Sequence, residues 1–379
     1  MADDDDDADK GLAGLSPEFQ AMVGGMAGHT ASFAKLLEKR AAKVSKEAGK
    51  KKDDEEFFES YADLAIHEEM LNDRPRCEAY REAIKFHQAD WAERGNVRVI
   101  DVGSGTGLLA VLCARANAHH VIAVEASRLA HFARQVVETN TAPGAVEVRE
   151  CRAEELALED DAKVDVVVSE WMGYFLLYEN MLPSVLAVRD RCLRQGGLML
   201  PSRCRLLVAP LEDPAWRAAR LGFWGDVQGV DMSCLLPLAT ATACEKPHHR
   251  LVPADGLLAG ATEVLSLDLS TVGDGDLRRF EAALRFELPA GRRLDGFASW
   301  FECEFGAAGW LLSTSPSREP THWRQTAFYL REPIEGGGGA SVEGSVRIER
   351  DESYSRGYRV TFDIGAAGRK RRVESYKLG

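Results

Sequence analysis

Glu170 and Glu179 bracket an aromatic segment, Trp171-Met172-Gly173-Tyr174-Phe175-Leu176-Leu177-Tyr178, directly after the apolar run Val164–Ser169. A strand that ends in a loop carrying two acids and four aromatic rings makes a poor solvent-facing surface. It makes sense as a cup for a flat cation. A guanidinium offers five N–H donors in a planar fork, and two convergent carboxylates can clamp it from both edges. The competing reading, two acids on a solvated loop, leaves the aromatic flanks unexplained.

A second constellation lies upstream, in Asp101-Val102-Gly103-Ser104-Gly105-Thr106-Gly107. The glycines let the backbone turn tightly and approach a ligand, and a helix that starts there adds exposed N–H groups and partial positive charge. Glu125 ends the next apolar run, in place to accept hydrogen bonds from ribose hydroxyls. Together they indicate an adenosine-type ligand. Dinucleotide enzymes favour G-x-G-x-x-G, whereas Gly103, Gly105 and Gly107 run G-x-G-x-G. No lysine follows as in a phosphate-binding G-K-[ST] loop, which disfavours ATP hydrolysis.

These residues need a scaffold, and the pattern supplies one. Strands are expected at Val97–Val102, His120–Glu125, Val146–Cys151 and Val164–Ser169, with helices over Gly107–Asn117, Leu129–Thr139 and Leu182–Leu193. Such alternation implies a parallel sheet covered on both faces, with ligands beyond the carboxyl ends of its strands. Gly196-Gly197 and Pro201 then punctuate the chain. Short β-like runs follow at Cys204–Ala209, Glu263–Leu267, Phe297–Glu304, Gln325–Leu330, Ser345–Glu349 and Arg359–Ile364, the signature of an antiparallel barrel or sandwich. One insertion interrupts them: Trp216, Leu221, Phe223, Trp224 and Met232 recur at roughly helical spacing, which suits an interface or a segment tucked onto its own domain. The expected division is an acidic and charged N-terminal segment over 1–56, a cofactor domain over 57–200 and a β domain over 201–379. In the first segment, Asp3–Asp7 and Lys46–Glu56 are charge blocks, and Phe19, Met22, Met26, Phe33, Leu36 and Leu37 mark a short amphipathic helix in a stretch expected to be largely disordered.

The chain has 379 residues and a net charge of −13, with 45% hydrophobic and 28% charged residues. That balance is globular, and the acidity argues against direct nucleic-acid binding while favouring basic polypeptide partners. The apolar run Gly107–Ala114 falls far short of the ~20 residues of a membrane span. No secretory leader pattern opens the sequence, so a cytoplasmic location is expected, with the nucleus also open. The eight cysteines form no CxxC and have no His partner at zinc spacing, so reduced thiols and no metal are expected. His119-His120 and His248-His249 lack ligand partners and read as surface, and Arg369-Lys370-Arg371-Arg372 reads as a solvated tail or strand end.

The G-x-G-x-G loop resembles the first motif of S-adenosylmethionine-dependent methyltransferases. The double-glutamate loop, running on through Tyr178-Glu179-Asn180-Met181-Leu182, the triplet Thr321-His322-Trp323 and the signature Phe57-Phe58-Glu59-Ser60-Tyr61 with Ile66-His67-Glu68-Glu69-Met70-Leu71 together resemble the protein arginine methyltransferase family, over residues ~57–379. They are similar to its type I branch, which makes monomethyl- and asymmetric dimethylarginine. Two positions depart from the signature: Phe57 stands where tyrosine is usual and Glu59 where aspartate is usual. The resemblance implies an α/β Rossmann-like S-adenosylmethionine-binding domain followed by an antiparallel β-barrel with a helical dimerisation arm at about 211–245, and a homodimer built through it.

The resemblance also implies roles. Arg76 would pair with the cofactor's carboxylate, Glu125 would bind its ribose and Glu154 its adenine, with His67, Met70, Gly103, Gly105 and Gly107 around them. Tyr61 and Met70 would line the methyl-transfer site, and Met181 would help shape it. Tyr174 and Trp323 would wall the arginine pocket. His322 would pair with Asp73 and take up the released proton. Substrates would be arginines in basic, glycine-rich protein segments. The alternative is a catalytically silent partner of an active relative, which should have lost an acid of the clamp or a glycine of the loop.

Overall fold

Asp63 and Asp73 set the first two helices by accepting hydrogen bonds from the backbone amides of Ala65 and Arg76. These helices are α1 (Leu64–Asn72) and α2 (Arg74–Phe86), and α3 (Gln88–Arg94) ends at left-handed Gly95. The computed structural model describes residues 61–379, except 62, 160–161, 337–338 and 367–369. The acidic block, the amphipathic stretch Phe19–Leu37, the charged run Lys46–Glu56, the substitutions at Phe57 and Glu59, and Arg369 lie outside the described residues.

Then come β1 (Arg98–Val102), α4 (Leu108–Arg115), β2 (His120–Glu125), α5 (Leu129–Asn140), β3 (Val146–Glu150), β4 (Val164–Val168), α6 (Leu182–Cys192) and β5 (Leu193–Leu200). All five strands pair in parallel, in the order β3-β2-β1-β4-β5. β4 is buried at every residue, and β1 and β2 at every residue after their first, as unbroken apolar runs require when both faces are covered. The chain steps outward from β1 through β2 to β3 and returns on the other side at β4. The connections that leave β1 and β4 therefore part at the carboxyl edge and open a crevice there. Gly196-Gly197, expected as punctuation, instead lies inside β5. β5 is an edge strand paired only with β4, with a register shift between Val164 and Val166, and edges tolerate glycines that weaken a central strand.

The remaining elements are β6 (Arg203–Leu211), α7 (Pro214–Arg220), α8 (Leu236–Ala243), β7 (His248–Arg250), β8 (Thr262–Asp268), β9 (Arg279–Leu288), β10 (Arg293–Glu304), β11 (Leu311–Ser313), β12 (Gln325–Glu335), β13 (Ala340–Arg350), β14 (Tyr358–Ala366) and β15 (Arg372–Leu378). The barrel is assembled from two antiparallel sheets. One runs β7-β12-β10-β6-β8 with β11 added on β10, and the other runs β15-β14-β13-β9. Rings join them: Phe297 of β10 stacks on Phe362 of β14 at 4.5 Å between centroids, and Phe328 of β12 meets Phe362 and Tyr376 edge-on. β9 carries no apolar run to find, because Arg279, Glu281, Arg285 and Glu287 alternate outward with Leu284, Phe286 and Leu288 inward. Arg372, from the C-terminal basic run, opens β15, and Arg371 pairs with Asp363.

Between β6 and β7 the insertion is helical, with α7 and α8 joined through two short 3-10 turns. Trp216 does not belong to its outer face. It is buried, stacked on Tyr329 at 3.5 Å, while Arg217 bonds Asp295 and the carbonyl of Leu330. Phe223, Val230, Leu235, Leu236 and Leu238 are the apolar residues left exposed. His248 and His249, read as surface from the sequence, are half-buried in β7. His248 packs on the Trp216 and Tyr329 rings, and His249 stacks on Tyr174, because the arm root and the aromatic loop close over that edge strand.

One hydrophobic core runs from the parallel sheet into the antiparallel sheets. Phe362 bridges the two antiparallel sheets at full burial. Phe362→Ala should cost about 3–5 kcal/mol, read as a lowered urea midpoint. An unchanged midpoint would mean that the stack does not join the sheets.

Candidate active site

The glycine loop follows β1, with Gly103, Gly105 and Gly107 at φ +70°, +52° and +85°. Each would strain any side-chain-bearing residue. The amides of Gly103 and Ser104 both donate to the carbonyl of Val124 (2.9 and 3.0 Å), which fastens the loop to β2. At the end of β2, Glu125 accepts from the Gly105 amide at 2.8 Å and the Ser127 amide at 2.7 Å, one on each carboxylate oxygen. Two amides thus fix the carboxylate, and each oxygen keeps a free lone pair facing the cleft. Glu154 stands at the far end, where the Ser184 hydroxyl donates to it at 2.5 Å.

α1 closes the near side. His67 Nε2 is hydrogen-bonded to the carbonyl of Tyr61 at 2.8 Å, and its ring packs so closely on the loop that a Cβ at Gly105 would lie 3.1 Å from it. Met181 lies over the loop as well, and a Cβ at Gly103 would meet its methyl at 2.3 Å.

After β4 comes the aromatic loop, and its backbone is strained. Phe175, Leu176, Glu179 and Asn180 all have positive φ, a cost that persists only where surroundings over-determine the conformation. A Cβ at Gly173 would sit 1.9 Å from the Tyr178 carbonyl, so only glycine fits the turn. The loop brings the two acids into one cleft. Glu170 Oε2 accepts from Nε of Arg76 at 2.9 Å and forms an ion pair with its Nη2, also at 2.9 Å, and Arg76 Nη1 donates to the Met70 carbonyl. Arg76, expected to meet a ligand carboxylate, here meets that of Glu170. Glu170 Oε1 is buried and has no hydrogen-bond partner among the described residues. Glu179 Oε2 accepts from the Tyr61 hydroxyl at 2.7 Å. Burial pushes the Glu179 carboxyl up to about 7; the Tyr61 bond opposes this, the charge of Glu170 adds to it, and Arg356 opposes it.

His322 Nδ1 lies 2.7 Å from Asp73 Oδ2, which also accepts from the His322 amide at 2.8 Å. Burial pushes Asp73 upward, but the His322 bond and the amides of Arg76 and His322 outweigh it and hold the carboxyl below its usual range. Trp323 donates its indole N–H to the carbonyl of Met172 at 2.8 Å, so it is fixed against the aromatic loop. Tyr174 is backed by the His249 ring at 4.2 Å, and burial pushes His249 down to about 4.

Of the residues singled out in the sequence, Tyr61, His67, Met70, Arg76, Gly103, Gly105, Glu125, Glu154, Glu170, Tyr174, Glu179, Met181, His322 and Trp323 line one cleft of ≈ 320 Å³, within the range of small-ligand sites. Two do not. Gly107 sits beneath it against Val137 and Ala133, where it lets α4 pack closely on α5, and Asp73 stands behind His322. Asp101 and Arg356 escaped the sequence reading. Asp101 ties β1 to α4 through the Ala110 amide at 3.0 Å, and burial pushes its carboxyl up to about 7. Its place just before the glycine loop was a signal that could have found it. Arg356 lines the cleft from 177 positions beyond Glu179, with no local motif around it.

A glycine loop and an acid fixed by two amides stand at the crevice of a five-stranded parallel, Rossmann-like sheet, and residues 100–200 match the family described as methyltransferase domain. Residues 202–367 match the arginine methyltransferase oligomerization subdomain. The chain is 38% identical over 355 residues to the probable protein arginine N-methyltransferase 6.1 of Oryza sativa subsp. japonica, covering 86% of this chain and 90% of that one. It is 37% identical to protein arginine N-methyltransferase 6 of Xenopus laevis, covering 91% and 99%. Among solved structures, the Trypanosoma brucei PRMT1 enzyme–prozyme heterotetrameric complex with AdoHcy superposes with a TM-score of 0.76 at 30% identity, covering 84% of this chain and 100% of that one. The chain belongs to the protein arginine methyltransferase family.

Tyr61 donates a hydrogen bond that favours the ionised form of Glu179. Carbon-13 NMR of glutamate-labelled protein should show one carboxyl titrating near pH 7, and Tyr61→Phe should move that midpoint higher. A midpoint that does not respond would separate the two side chains.

Proposed function

We propose that the protein transfers methyl groups from S-adenosylmethionine to arginine side chains of proteins, as a type I enzyme giving monomethyl- and asymmetric dimethylarginine. The observation that carries this is the pair of half-buried acids facing one cleft, one with an oxygen unpartnered among the described residues, beside a complete glycine loop and a preoriented Glu125. The solved neighbour from Trypanosoma brucei, complexed with AdoHcy, supports the same cofactor.

The residues fit that cofactor. Glu125 would present lone pairs to ribose hydroxyls, Glu154 would meet the adenine, and Arg76, held on Glu170, would also meet the cofactor's carboxylate. When bound, S-adenosylmethionine supplies an electrophilic sulfonium methyl. Arginine is protonated at physiological pH and has no free lone pair. Glu170 and Glu179 hold its charge on the nitrogens that they bind, which leaves electron density on the remaining terminal nitrogen. Trp323 and Tyr174 wall the side chain in and keep water out, and Met70 and Met181 shape the space around it. His322, oriented by Asp73 through Nδ1, presents Nε2 to accept the proton that leaves the methylated nitrogen.

The acidic chain suits basic substrates, and flexible Gly-Arg segments suit a narrow cleft. The exposed apolar residues of the arm support a homodimer. The cytoplasm, with the nucleus also open, follows as the place of action.

Labelled S-adenosylmethionine with a glycine-arginine-rich peptide should yield asymmetric dimethylarginine, resolved by mass spectrometry. Symmetric or only monomethylated product would overturn the type, and no product would overturn the activity. Glu170→Gln should lower kcat on the order of 10²–10³-fold and leave cofactor affinity within a few-fold. A near-normal rate would remove Glu170 from the reaction. For assembly, Phe223→Asp with Leu238→Asp should give a monomer by sedimentation, whereas Trp216→Ala should lower the melting temperature by disturbing the arm root. A dimer that survives the double substitution would place the interface elsewhere.

A further inference from the structure

The turn between β13 and β14, Asp351 to Gly357, belongs to the antiparallel sheets, yet it reaches the loop that carries Glu179 and meets it residue by residue. The Glu179 amide donates to the Arg356 carbonyl at 2.9 Å, and Arg356 Nη1 donates back to the Glu179 carbonyl at 2.8 Å. Asn180 Nδ2 donates to the Ser355 carbonyl at 2.9 Å, and the Tyr358 hydroxyl donates to Asn180 Oδ1 at 3.1 Å. Glu179 and Asn180 are the two successive residues at φ +76° and +50°. Left-handed backbone in two adjacent residues with side chains is strained. The four hydrogen bonds to Glu179 and Asn180 are what over-determines it.

We propose that Arg356 is a positioning residue for methyl transfer: from the far end of the chain it locks the backbone of Glu179, and its buried guanidinium holds the Glu179 carboxylate ready for a substrate cation. The proposal rests on the methyltransferase reading above and adds to it the element that builds the second acid of the clamp. The geometry explains why such an element is needed. Tyr61, Glu170, Tyr174 and Tyr178 also face Glu179, and none of these carries positive charge at neutral pH. Arg76 is engaged with Glu170. Among the described residues, Arg356 is therefore the cation set against the burial that favours the neutral acid. Its guanidinium also spans charge and hydrogen bond at once, which a lysine ammonium on a flexible stem does not reproduce.

The test compares Arg356→Gln and Arg356→Lys in the full-length protein, with S-adenosylmethionine and a glycine-arginine-rich peptide. Arg356→Gln should lower kcat by about 10–100-fold, the loss expected for a displaced reacting group, with KM for S-adenosylmethionine within twofold. The acid limb of kcat/KM for the peptide should move to higher pH: Glu179 must be ionised to hold arginine, activity falls as pH drops through its pKa, and losing a nearby cation raises that pKa. Arg356→Lys should bring the limb back towards that of the unsubstituted enzyme and leave kcat reduced. Should Arg356→Gln fail to fold, the lysine variant decides alone: reduced kcat with an unshifted limb supports the proposal, and a full rate overturns it. A glutamine variant whose limb does not move, or whose cofactor affinity and melting temperature fall in step with kcat, also overturns it. The Glu179 titration followed by NMR separates this from the function itself. If the unsubstituted enzyme makes no methylarginine, the reaction is wrong, while a Glu179 midpoint that Arg356→Gln leaves in place sinks the positioning role whatever the activity.

Discussion

Two carboxylates buried in one cleft repel each other and lose hydration, and most of the site's construction answers that constraint. Left alone, such a pair would take up a proton and lose its grip on a cation. The protein answers it differently at each acid. Glu170 meets a full guanidinium from Arg76 along one oxygen and keeps the other bare. Glu179 is given a phenol hydrogen bond and the charge of Arg356, against the burial that holds its carboxyl up at about 7. One acid is therefore already paired with a cation and the other is not, so an incoming guanidinium would complete the charge balance of the pair.

That arrangement requires groups from three places in the chain to meet at one sheet edge. The parallel strand order supplies the crevice, since the connections that leave β1 and β4 part at their carboxyl ends. α1 and α2 bring Tyr61, His67, Met70 and Arg76 over it. The antiparallel sheets then close the remaining side with His322, Trp323 and Arg356. Because the hydrophobic core is continuous between the two kinds of sheet, the halves of the site are held at fixed spacing, as a reaction that depends on in-line approach demands.

The sequence made some of this legible. The glycine loop and the double-acid loop are contiguous, and their chemistry is written in residue types at short spacing. The central strands announce themselves because burial on both faces forces unbroken apolar runs. β5 does not, since an edge position let Gly196 and Gly197 interrupt it. β9 hides because its outward face is charged at four of five positions. His248 and His249 looked like surface because nothing local indicates that Trp216, Tyr329 and Tyr174 pack on them. Arg356 shows the limit most clearly: its partner is 177 residues away, and no periodicity or spacing spans that separation.

The arm divides along the same line between what is built locally and what is left for association. Its root is tied down by the Trp216–Tyr329 stack and by Arg217 on fully buried Asp295, while Arg250 and the Tyr329 hydroxyl both reach Asp213. A buried arginine–aspartate pair adds little net stability over an apolar substitute, but breaking it strands a charge, so it enforces one orientation. The tip, by contrast, presents Phe223, Leu236 and Leu238 to solvent with no cover from the described residues. A rigid root beneath an uncovered apolar tip is what a surface needs in order to meet a second molecule in a single geometry. Tyr329 lies in β12, the strand that His322 and Trp323 precede, so orientation at the arm and at the cleft share one strand.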